Sequence, residues 1–207
     1  MSLPSHRSRR LLWFGPVAAV LLFAGMYALG LITPGYSHVR QTVSELGELG
    51  SPGQLAFTAL LCLVTACLVV FSAAVARSLT DSGHSTLPAY LLVAMAVSTA
   101  GVGIFAFPQP LHNIFGMSEI VGYQAPLVAA LVCKKDPGAR QVKVFSMVMY
   151  GVVMLVMAVN FMALVRPVDI WSHIKPVFGI VQRSLFASWF VWCTGYALLL
   201  MRMRRSG

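Results

Sequence analysis

PGYSHVRQTVSELGELG, residues 34–50, carries a histidine, an arginine, two glutamates and two serines between two long apolar runs. Those runs, residues 11–33 and 52–76, are each long enough at ~1.5 Å per residue to cross ~30 Å of hydrocarbon. The interval therefore reads as a loop joining two membrane spans. A loop this rich in polar groups, in a chain otherwise mostly apolar, is where a site is expected.

The rest of the chain fits that frame. Of 207 residues, 58% are apolar and only 10% are charged, more apolar surface than a soluble core of this size can hide. Four further runs follow at 87–107, 113–133, 144–165 and 177–201, giving an all-α integral membrane protein with a six-helix bundle. Residues 1–10 form a basic N-terminal segment, 11–201 a single transmembrane domain and 202–207 a basic tail. The start imitates a secretory signal, but its apolar run is too long and lacks a small-x-small cleavage site, so a retained first span is expected. Helix punctuation supports the boundaries. Ser51-Pro52-Gly53-Gln54 has the form of a capping box with proline at the first helical position, Thr86-Leu87-Pro88 resembles it, and Asp136-Pro137 is suited to start the fifth helix early.

The formal charge of +9 suggests anionic partners, yet the cations cluster beside apolar runs and form no basic face with interleaved aromatics, so nucleic acid is excluded. They alternate along the chain instead. Arg7, Arg9 and Arg10, then Arg77, then Lys134, Lys135, Arg140 and Lys143, then Arg202, Arg204 and Arg205 occupy every second connection. The other loops hold only Arg40, none, and Arg166 with Lys175. Both termini are expected to be cytoplasmic, in the plasma (inner) membrane, with residues 34–50 outside. The cysteines 62, 67, 133 and 193 lie within or at the ends of apolar runs, with no CxxC, and read as packing groups.

Membrane helices associate without a hydrophobic drive, so small residues mark their seams. Thr58, Thr65 and Ser72 repeat every seven residues in the second span; Ala94, Ser98 and Gly101 share a face of the third; Ser184, Ser188 and Gly195 lie along the sixth. These hydroxyls read as packing and back-bonding groups rather than nucleophiles. The methionines of the fifth span have no metal spacing and read as filler.

Other polar residues lack so plain an account. Glu119 in the fourth span, Asn160 in the fifth and Arg183 in the sixth sit at matching depth toward the outer ends. Ions inside a membrane need a partner or water, so Glu119 and Arg183 are expected to pair, either lining an outward cavity or fixing helix register. His112 precedes Glu119 by seven residues on one helical face, with Tyr123 one turn deeper, and is expected at the cavity mouth. The loop can fold over that mouth, bringing His38, Arg40, Ser44 and Glu45 near, and TVSELGEL has helical character. Three outer histidines, His38, His112 and His173, raise zinc as an alternative, but no HxxxH or HExxH pair supports it and no cofactor is expected.

The block Pro34-Gly35-Tyr36-Ser37-His38, continued by Ser44-Glu45-Leu46-Gly47, resembles the bacterial and archaeal membrane family catalogued as domain of unknown function 998. Pro108 with His112, and Gln182-Arg183, resemble it too. The resemblance implies six spans and an outward polar cluster, and no established activity. It also implies acids before the third-loop histidine and before the sixth-span arginine, places held here by Gln109 and Gln182. Tyr36, Ser37 and Gln182 thereby join the candidates for a ligand cavity.

The expected function is binding of a lipid or small amphipathic ligand in that cavity, as sensor, carrier or accessory subunit, with membrane lipids as partners. An intramembrane hydrolase acting on lipid head groups, zinc-dependent or not, is the alternative; no nucleophile constellation is visible for it. A transporter ranks lower, since no inverted repeat is plain, no span is visibly broken, and Pro126 offers a kink and no more.

Overall fold

The computed structural model describes residues 6–133 and 137–203. Among them, six helical spans are long and apolar enough to cross a membrane. The first is α1 (His6–Leu11) leading into α2 (Phe14–Ile32), followed by α3 (Gln54–Asp81) and α4 (Leu87–Ile104). The fourth is divided into α5 (Pro110–Gly122) and α6 (Ala125–Val132). Then come α7 (Pro137–Val165), a short α8 (Val168–Ile174) and α9 (Phe178–Met203). The only β pairing among the described residues is an isolated bridge between Glu48 and Phe107.

The spans close into a ring: α2 packs on α3, α3 on α4, α4 on α5 and α6, α6 on α7, α7 on α9, and α9 back on α2. The first and last described helices, α1 and α9, meet at one end of the bundle, where Arg9 Nη2 donates to the Met201 carbonyl at 3.3 Å. The outer faces are apolar. Leu155 and Val165 of α7 are 70% and 74% exposed, a liability in water and none in hydrocarbon. Arg7 has no described side chain, and Lys134, Lys135, Asp136, Arg204 and Arg205 lie outside the described residues, so part of the charge alternation does too.

Small residues act at the seams as expected, but four hydroxyls, those of Thr58, Thr65, Ser98 and Ser118, do more than back-bond. Thr58 Oγ1 donates to the Gly103 carbonyl at 2.7 Å and Thr65 Oγ1 to that of Ala96 at 3.3 Å, tying α3 to α4. Ser98 meets Ser118 at 2.7 Å, tying α4 to α5. In hydrocarbon a hydroxyl has no water to turn to, so a carbonyl across the seam is worth reaching.

Several boundaries differ from the sequence reading. α3 runs to Asp81, past residue 76, and α4 ends at Ile104, short of 107. Ser51 does not cap α3. The helix starts at Gln54, whose Oε1 accepts from the Gly50 N–H at 2.8 Å, while Ser51 Oγ turns to the Leu46 carbonyl. Thr86 occupies the N-cap of α4 without a side-chain bond.

The fourth span starts at Pro110, not 113, and is interrupted at Tyr123-Gln124. Pro126 accounts for the interruption: it has no N–H to give the carbonyl four residues back, which is that of Gly122. The Trp189 indole of α9 supplies the missing donor at 3.2 Å. Neither 13-residue α5 nor 8-residue α6 reaches ~30 Å alone; together they do.

Candidate functional site

The loop 34–50 is held over the bundle by side chains from four spans. At its centre is a short 3-10 helix, Val43–Gly47, the helical character expected of TVSELGEL. Glu45 reaches back to the Thr42 N–H and hydroxyl at 2.8 and 2.9 Å and also accepts from Gln41 Nε2 at 2.8 Å, so it shapes the loop from within.

Arg183 of α9 spreads its guanidinium over the loop. Nη1 is shared among the carbonyls of His38, Gln41 and Gly179 at 3.0, 3.0 and 2.9 Å, and Nη2 donates to the Tyr36 hydroxyl. Tyr36 passes its own proton to the Thr42 carbonyl at 2.8 Å. Burial raises the Tyr36 pKa above that of a free phenol, with Arg183 working against the rise. One residue before Arg183, Gln182 Oε1 accepts from the Val43 N–H at 2.7 Å. The loop backbone comes so close to α9 that a Cβ on Gly179 would stand 2.4 Å from the Gln41 oxygen and 2.6 Å from that of His38. Only glycine fits there.

From the fourth span, His112 Nε2 lies 2.8 Å from Ser44 Oγ. Its Nδ1 is 2.8 Å from the Phe105 carbonyl and 3.1 Å from that of Val102. A ring nitrogen facing two carbonyls carries the proton, so Nε2 is the acceptor and Ser44 donates to it. His112 is only 4% exposed, walled in by Phe107 rather than open at a mouth. The Leu49 N–H closes the loop's far end on the Phe107 carbonyl at 2.8 Å.

Beneath this lid lies a cleft of about 490 Å³ between α5 and α7, with α9 behind it. Ser44, His112, Asn113, Glu119, Tyr123, Asn160 and Gln182 supply its polar lining. Glu119 accepts from the Tyr123 hydroxyl at 3.1 Å, and Asn160 Nδ2 donates to the Val156 and Val181 carbonyls at 2.9 and 3.2 Å. The flanks are apolar, with Met117, Ile120 and Leu164 exposed along the two helices. A smaller hollow of about 50 Å³ lies toward the bundle axis and shares Ser44, Glu119 and Tyr123 with the cleft.

Six of the candidates read from sequence thus meet in the cleft; Tyr36, Ser37, His38, Arg40 and Glu45 belong to the lid, Arg183 grips the lid from α9, and His173 lies on α8. Ser37 donates its N–H to Gln41 Oε1 at 2.8 Å. Arg40 is exposed. His38 stacks on Tyr27 at 5.6 Å and meets Tyr36 edge-on at 5.2 Å, its Nε2 buried against Gly30 without a hydrogen-bond partner among the described residues. Burial, and then the Arg183 charge, lower its pKa below that of free imidazole.

Two expectations fail, and the three histidines raised for zinc lie apart. Glu119 and Arg183 do not pair: the carboxylate bonds to Tyr123, whereas the guanidinium is satisfied by carbonyls of the loop above. His38, His112 and His173 do not gather into a metal site. His38 stacks in the lid, His112 is engaged at both nitrogens, and His173 binds the Asp169 carbonyl of its own α8; among the described residues no group of three potential ligands forms. The fourth span is broken after all. Its freed Gly122 carbonyl is already taken by Trp189, which removes it as an ion ligand. Sequence reading also missed Gly179 and Trp189, for which position alone gives no signal.

A family model described as protein of unknown function (DUF998) matches residues 16–199. That match covers nearly the whole chain, and the chain belongs to this family. No curated protein and no solved structure matches it.

Proposed function

We propose that this DUF998 member is a multi-pass protein of the plasma (inner) membrane, with both termini cytoplasmic, that binds a lipid or small amphipathic molecule in the cleft between α5 and α7. The observation that carries this reading is the cleft's division into two environments. Polar groups cluster under the lid, while the helices bounding the opening are clad in apolar side chains that hydrocarbon would solvate. A ligand with a polar head and an apolar tail satisfies both, and enters sideways without leaving the bilayer.

Charge narrows the head group. Among the described residues, Glu119 is the only carboxylate lining the cleft and no lysine or arginine lines it, because Arg183 is committed to the lid. A carboxylate with no cation beside it suits a head that donates hydrogen bonds, an amine or hydroxyls, better than a bare phosphate. A diazirine-tagged ethanolamine lipid in vesicles should label the 116–120 and 160–164 segments above all others; uniform labelling of every lipid-facing helix would reject the cleft. For orientation, a Glu48→Cys variant should react with an impermeant thiol reagent from outside; reaction only from the cytoplasmic side would reverse the assignment.

A second reading, an intramembrane hydrolase, is favoured by one contact: Ser44 donates to His112 Nε2 while carbonyls hold Nδ1–H. A base orders a hydroxyl this way for attack on an ester. Ser44 Oγ would bond to the ester carbonyl carbon as its proton passes to Nε2, the C–O bond to the alcohol would break, and the alcohol would leave with that proton. Water would then release the acid and restore Ser44. Covalent capture of Ser44 by a fluorophosphonate, dependent on His112, supports this reading; no capture in protein that still binds lipid leaves binding alone.

A further inference from the structure

We propose that the groove between the start of α7 and the end of α9, at the opposite end of the bundle from the lid, binds the head group of an anionic phospholipid. The groove measures about 770 Å³ and is bounded by Arg140 of α7 and Arg202 of α9. Both arginines are exposed, and neither makes an ion pair or a side-chain hydrogen bond with another described residue.

The two helices run antiparallel, and the groove is layered. Val144 lies one turn inward from Arg140, and Leu198 one turn inward from Arg202, so each helix places its cation about 6 Å outside its apolar lining. The floor is apolar as well: Gly195 leaves room for the Phe145 ring, which would stand 2.2 Å from any Cβ placed there.

A lipid head with net negative charge puts its phosphate between the two guanidiniums and its chain along Val144 and Leu198. Gln141 adds a neutral donor at the same level. A zwitterionic head brings an ammonium to the same place, where two arginines oppose it. Hydrocarbon covers this face of a membrane helix in any case; the arginine pair decides which head group stays.

This proposal does not depend on the cleft. Thermal shifts of detergent-purified protein, titrated with phosphatidylglycerol or phosphatidylcholine, test it. The expected result is stabilisation by phosphatidylglycerol well beyond that by phosphatidylcholine, with apparent affinity roughly tenfold or more weaker in Arg140→Gln/Arg202→Gln. Arg140→Lys/Arg202→Lys should retain most of the preference, which separates charge from folding damage. Inorganic phosphate alone should not reproduce the shift. Equal response to the two lipids, an undiminished preference in the glutamine double variant, or full reproduction by inorganic phosphate would overturn it.

Discussion

The Ser44 hydroxyl and the His112 Nε2 lie 2.8 Å apart, joining the 34–50 loop to the fourth span across 68 residues of chain. The contact satisfies a nearly buried imidazole and clamps the centre of the lid to the cleft wall. Ser44→Ala leaves Nε2 without its donor, which costs ~1–3 kcal/mol. His112→Ala should cost at least as much, and the two together less than their sum, because they remove one interaction. Thermal unfolding in detergent measures all three; strict additivity would mean the contact carries no energy.

Arg183 and Glu119 should behave in the opposite way. Arg183→Met removes bonds to the His38 and Gln41 carbonyls and to Tyr36, with an expected loss of ~2–4 kcal/mol. Glu119→Gln retains an acceptor for Tyr123 and should cost little. Since the two groups make no contact, the double variant should be additive; a double variant more stable than Arg183→Met alone would restore the ion pair.

His38 makes the lid sensitive to acid. Its folded pKa lies below the 6.5 of free imidazole, so around that pH the unfolded loop binds more protons than the folded one. The stabilising contribution is complete above about 6.5 and declines as pH falls toward the folded value. Amide exchange across residues 36–46, corrected for intrinsic rates, should quicken as pH falls from 7 to 5. His38→Phe keeps a ring on Tyr27 and should flatten that change; an equally steep change in the variant would place the sensitivity elsewhere.

The break in the fourth span offers a rescue experiment. Trp189→Phe removes the indole donor and leaves the Gly122 carbonyl unpaired, at a cost of ~1–3 kcal/mol. Adding Pro126→Ala restores a backbone N–H to that carbonyl and should recover part of the loss. If Pro126→Ala is equally neutral or harmful in both backgrounds, Trp189 does not compensate for the proline.

The spans were legible because a bilayer sets their length, and the lid's short helix because Thr42 and Glu45 are spaced to bond one another. The gathering of His112, Glu119 and Tyr123 followed from helical spacing alone. The fate of Arg183 did not. Depth along a helix places two charges at one level, but it does not reveal that loop carbonyls lie closer to the guanidinium than the carboxylate does. The histidines raised for zinc lie apart for a related reason: lying on the same side of a membrane is a weak constraint, and His38 is held within the lid against Tyr27 while His112 meets Ser44 from the fourth span, contacts that spacing does not reveal.

The cleft itself is tested most directly at Gly116, which lines it and has open space beside it: a Cβ there would meet only Val102 Cγ2, at 4.0 Å. Gly116→Phe should fill the cleft while leaving the helix sound, since an added side chain in a helix interior is otherwise neutral or favourable. Native mass spectrometry of wild type and variant, purified identically from membranes, reads the outcome. The account predicts an adduct of lipid mass on the wild type that is absent or strongly reduced in a normally folded Gly116→Phe. The same adduct, equally abundant on both proteins, would contradict it.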